Sequence, residues 1–66
     1  MSMNNIDIDR QIACVRRECR MRQHVYPRWV DTGKMTQKDA TDELFAMAAV
    51  LATLERVRDA ERPKLI

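Results

Sequence analysis

The chain has one glycine, two prolines, three aromatic residues and two cysteines among 66 positions. With so few breakers and almost no run of β-branched residues, sandwiches, barrels and Gly-rich phosphate-binding loops are disfavoured, and an all-α fold is expected. The longest apolar run, Leu44 to Leu54, is interrupted by Thr53 and too short to cross a bilayer, so no membrane partner is expected. Cys14 and Cys19 lie five apart on one expected helix, about 140° apart around its axis, too divergent for an intrahelical disulfide. The polar start MSMNN lacks the character of a secretory leader. Together with the free thiols, it predicts a reduced, cytoplasmic setting.

What is present is apolar residue and charge. Hydrophobic residues make up 45%, which argues against wholesale disorder, and a net charge of +2 does not by itself announce a nucleic-acid partner. A chain this short forms one domain, 1–66, and such domains commonly need oligomerisation to complete a core.

Periodicity divides the chain into two arms. The first is expected over about 6–31, with Asn5 as N-cap and Asp7 and Asp9 at the positive end of the helix dipole. Ile8, Ile12, Val15, Cys19, Arg22, Tyr26 and Trp29 follow a 4-3-4-3-4-3 spacing, a coiled-coil-like seam with one charged intruder. Cys14, Met21 and Val25 form a weaker stripe about 100° away, beside Arg10 and Arg17. Pro27 either ends this helix or kinks it, and the seam running on to Trp29 favours a kink with continuation to Asp31. Gly33 suits the left-handed residue just past a helix end, within a turn over 32–36.

The second arm is expected over about 37–61, with Pro63 ending it. Thr36 serves as N-cap with Asp39 three residues on, and Met35 and Ala40 take the hydrophobic-staple positions. Ala40, Leu44, Met47, Leu51 and Leu54 repeat the 4-3-4-3 spacing and then meet Arg58. Phe45, Ala48, Ala49, Val50, Ala52 and Val57 widen the apolar surface beyond that seam. A helix apolar nearly all round is buried on more than one side. The architecture predicted is a helical hairpin that dimerises into a four-helix bundle, with Phe45, Ala48, Ala49, Leu51 and Ala52 at the dimer interface.

Charge is segregated by arm. Residues 10–28 hold Arg10, Arg16, Arg17, Arg20, Arg22 and Arg28 against Glu18 alone, whereas residues 39–61 hold six acids against Arg56 and Arg58. Antiparallel packing of the two arms therefore gives favourable cross-helix electrostatics. Arg10, Arg17 and Arg28 fall along one line with Arg16 and Arg20 flanking it, a row able to grip carboxylates or phosphates. With Trp29 they are the candidate partner-binding residues, against the plainer reading of a solvated face complementing the acidic arm.

Tyr26 and Trp29 are read as a clasp closing the hairpin tip against Met35 and Leu44, in preference to an exposed anchor. Met1 and Met3 are expected in a frayed terminus, which weakens any reading of the methionines as an adaptable binding surface. Cys14, Cys19 and His24 do not converge on one face and form no CxxC or HxxxH motif, so neither a metal nor a catalytic Cys–His pair is expected. The expectation is a non-enzymatic protein without cofactors.

The run CVRRECRMRQHVYPRWV over Cys14–Val30, the GKMT segment beginning at Gly33 and the run ELFAMAAVLATL over Glu43–Leu54 resemble a family of short proteins encoded by bacteriophages and prophages. Its pattern is an Arg-rich helix, VYPxWV, GxM and an Ala/Met/Leu helix, covering about residues 11 to 55. The resemblance transfers no site residue. It implies a phage or prophage origin, a host-cell cytoplasmic address and an accessory protein that binds and modulates or inhibits a host or phage protein. A nucleic-acid-binding dimer using the Arg-rich face, and a purely structural assembly module, stand as alternatives.

Overall fold

The computed structural model describes residues 5–62. They form two helices, α1 (Ile8–Asp31, 24 residues) and α2 (Gln37–Glu61, 25 residues), joined by a short turn. Arg16 meets Glu55 across the helices, Arg22 approaches Glu43, and Asp9 pairs with Arg62, so early residues of α1 face late residues of α2. The helices are antiparallel, an α-helical hairpin.

The two seams predicted from spacing are the surfaces that meet. Ile12, Tyr26 and Ala40 are buried, at 2%, 8% and 2% exposure. Ile8, Val15, Cys19 and Arg22 on α1, and Leu44, Met47, Leu51, Leu54 and Arg58 on α2, are half-buried along the same lines. Leu51 therefore lies on the seam that meets α1, and its uncovered part is open to the dimer contact expected of it. Burial falls off so quickly because each helix has only one neighbour. The smallest dimension of the molecule is 14 Å, a single helix layer.

The start of α1 differs from expectation. Asp7, not Asn5, holds the N-cap position with extended dihedrals (φ −58°, ψ 145°), and its side chain makes no capping hydrogen bond. Its carbonyl accepts the first helical bond, from the Gln11 amide at 3.1 Å, while the Gln11 side chain donates to the Ile6 carbonyl at 2.9 Å. Asp7 thus contributes negative charge beside the helix dipole without filling a side-chain cap. Asp9 lies in the first turn as expected.

Downstream, α1 runs through Pro27 unbroken, and Tyr26 stays helical despite the proline after it. Pro27 offers no amide to the Gln23 carbonyl, and both residues lie on the exposed surface, where water can take the missing donor's place.

Gly33 adopts φ 79°, the left-handed region that admits glycine without penalty. Around it the Gly33 amide donates to the Val30 carbonyl (3.2 Å) and the Lys34 amide to the Trp29 carbonyl (2.8 Å). This pair of bonds is the Schellman termination, which satisfies carbonyls that the helix end leaves open. Three residues later the Thr36 hydroxyl accepts from the Asp39 amide at 3.0 Å and caps α2. Met35 is half-buried and Ala40 buried on either side of that cap, as a staple requires. α2 ends at Glu61, with Arg62 in extended conformation; Pro63, Met1 and Met3 lie outside the described residues.

A Cβ added at Gly33 meets nothing within 4 Å, so a substitution there is penalised by backbone conformation alone. Gly33→Val is expected to destabilise the protein by about 1–2 kcal/mol, measured by chemical denaturation. Unchanged stability would show that the turn tolerates another conformation.

Candidate interaction surface

Six arginines enter the hairpin on α1, and packing divides them into two groups. Arg16 donates to Glu55 at 2.7 Å, with side chains 48% and 34% exposed, so the bond sits at the surface. Arg22, the charged member of the seam, donates from Nε to Glu18 at 3.1 Å and reaches Glu43 at 3.8 Å. Its guanidinium lies 5.9 Å from the centre of the Tyr26 ring. The hydrogen bond that Arg22 donates to Glu18 outweighs the cost of desolvation and holds Arg22 all the more firmly protonated. A charge in the seam is thereby tolerated because it is both partnered and half in water.

Arg10, Arg17, Arg20 and Arg28 form the second group. All are exposed, and none makes an ion pair with another described residue. Arg17 only brushes the Cys14 sulfur at 4.0 Å. Arg28 lies in the last turn of α1, where a cation complements the helix dipole. Arg10, Arg17 and Arg28 share a line roughly opposite the seam, with Arg20 about 60–80° further round. Of the five arginines singled out from the sequence, Arg16 is therefore engaged within the hairpin and the other four are available.

Trp29 is 41% exposed. One side of it leans on Tyr26, with ring centres 5.7 Å apart and planes tilted by 30°. The rest borders a shallow apolar hollow of about 300 Å³ lined by Glu18, Met21, Arg22, Val25, Tyr26 and Trp29. Tyr26 is buried at the tip end of the seam, whereas Trp29 stays partly open.

A second hollow, about 460 Å³, opens between the helices toward their free ends, where Ile6, Arg10, Cys14 and Val15 face Val50 and Leu54. On α2, Phe45 is 71% exposed, and Ala48, Ala49 and Ala52 are exposed with it. Met21, Val50 and Val57 are also exposed, at 51%, 45% and 41%. Met21 and the two hollows were not among the site residues expected from the sequence, although Cys14, Met21 and Val25 had been placed on a stripe of their own.

Cys14 is exposed and Cys19 half-buried, both as free thiols. Among the described residues no group of three or more His, Cys, Asp or Glu is placed to hold a metal ion. No helix among them is long and apolar enough to cross a membrane. Family models, curated proteins and solved structures were compared with the chain, and none of them matches it.

The two kinds of cross-helix contact differ in weight. Arg16→Ala removes a surface ion pair and is expected to cost about 0–1 kcal/mol. Ile12→Ala, at a fully buried seam position, is expected to cost about 2–5 kcal/mol. Urea titrations of both variants check the ranking, and a larger loss from Arg16→Ala would mean that ion pairing dominates the hairpin.

Proposed function

We propose that this chain is a non-enzymatic accessory protein of phage or prophage type, which dimerises and binds and modulates a host or phage protein through α1. The observation that carries this reading is the set of exposed arginines, Arg10, Arg17, Arg20 and Arg28, that the hairpin leaves without ion-pair partners among the described residues while it uses Arg16 and Arg22 internally. The helix fixes the spacing of the guanidinium groups, so no backbone freedom is lost when they meet a carboxylate-rich surface bidentately. Occlusion of that surface is the mechanism of action. The apolar residues left exposed on both helices support the dimer, since a lone two-helix layer covers so few of them.

The same arginines favour one second reading, a dimer that tracks a nucleic-acid backbone. Arg17 and Arg20 are the positions to test because neither contributes to an ion pair among the described residues. Arg17→Ala combined with Arg20→Ala is expected to abolish binding to a protein partner recovered from host lysate, while thermal stability stays unchanged. Retained binding would refute the role given to α1. With duplex and single-stranded oligonucleotides at low salt, no affinity is expected. Affinity that falls with log[salt] at a slope near −0.9 per phosphate contact would establish the second reading instead.

A further inference from the structure

We infer that a second copy of this chain covers one particular side of the hairpin, where Met21 and Val25 of α1 adjoin Val50 and Val57 of α2, with α1 of each copy lying antiparallel on α2 of the other. The inference rests on the dimer proposed above and adds which face is used and in what orientation.

Five of the six exposed large apolar residues among the described ones gather on this side. Ile6 and Val50 border the hollow between the helices, and Met21 and Trp29 border the hollow near the tip. Val57 follows Val50 by two helical turns and shares its face. Around each helix the phases agree. Val50 and Val57 lie about 80–100° from the α2 seam, and Cys14, Met21 and Val25 lie about 100–140° from the α1 seam in the same sense. In an antiparallel pair, equal senses of rotation emerge on the same side. Phe45, Ala48 and Ala52 lie in the opposite sense, and so on the other side of the layer.

The area is what a dimer needs. At 41–57% exposure these five residues leave roughly 450 Å² of surface open, most of it apolar, a large patch for a monomer. A stable interface takes about 800 Å² from each partner, with roughly 60% of it apolar. The patch matches that apolar share.

Charge identifies the occupant and its orientation. Arg10 and Arg28 border the patch at the two ends of α1, and Glu61 and Asp39 at the two ends of α2. None of the four pairs with another described residue. The Arg16–Glu55 and Asp9–Arg62 contacts place Arg10 level with Glu61, and the turn places Arg28 level with Asp39. A two-fold axis along the helices sets α1 on the second copy's α2. Arg10 then meets Glu61, Arg28 meets Asp39, and Met21 and Val25 lie over Val50 and its neighbours, which leaves Arg17 and Arg20 of the exposed arginines for the partner proposed above. The other face-to-face two-fold sets α1 on α1 with ends reversed, opposing Arg10 to Arg28 and Asp39 to Glu61. Like charges exclude that arrangement. The side is therefore complementary to itself in one orientation only.

Sedimentation equilibrium on the full chain tests this, with a dimer of twice 7.8 kDa expected. Val50→Glu and Met21→Glu are each expected to weaken association by at least about tenfold, since each buries two unpaired carboxylates. Phe45→Glu is expected to leave the dimer intact. Arg10→Glu should weaken it several-fold, and Glu61→Arg added to it should restore it. Because a dissociated variant can also lose its helices, alkylation of Cys14 in the unaltered protein supplies a second measure. The rate should fall as concentration rises through the dimer's Kd. A monomeric wild type overturns both the dimer and this face. A dimer lost with Phe45→Glu but kept with Val50→Glu, or Cys14 alkylated at one rate in monomer and dimer alike, overturns the face while the dimer stands.

Discussion

Everything in this protein hangs on one contact, the antiparallel meeting of two stripes spaced four and three residues apart. Among the described residues only Ile12, Tyr26 and Ala40 are buried outright, and most other seam residues are partly covered. Fully burying a large apolar side chain is worth about 1.5–3 kcal/mol, while fixing each residue costs roughly 1–2 kcal/mol of backbone entropy alone. A single helix layer works close to that margin. Its remaining apolar surface is thus an energetic resource for association, which links the thinness of the fold to the function proposed for it.

The turn makes that contact possible by fixing where α1 stops and α2 begins. The left-handed Gly33 and its pair of amide–carbonyl bonds end α1, and the Thr36 hydroxyl starts α2 only three residues later. Neither device is strong alone. Together they leave little slack, so the helices are delivered side by side with Arg16 beside Glu55 and Arg22 near Glu43.

Much of this was legible in the sequence because heptad spacing, a lone glycine and a Thr–Asp cap are local signals with direct geometric meaning. Asn5 was misjudged for a local reason too: any Asn or Asp near a helix start is a credible cap, and only the backbone at Asp7 settles which one serves. Leu51 fitted two roles in the sequence, and its half-burial is compatible with both. Arg16 could not be separated from Arg20 by spacing, because engagement depends on what stands opposite, and Glu55 stands opposite Arg16 alone. The shared side of Met21 and Val50 was in principle readable from the helical phases of both arms taken together. Neither helix shows it alone, because the side exists only once the two are paired antiparallel.

Arg22 carries a consequence for alignment. Two heptad stripes are periodic, and sliding one helix by seven residues, about 10.5 Å, sets the apolar residues of one seam against those of the other again. Such a slide would move Arg22 from Glu43 to either Thr36 or Val50, stranding a half-buried cation without its cross-helix carboxylate. The residue that looks like a flaw in the seam is what distinguishes one notch of the repeat from the next. It gives a self-similar sequence a single zero point.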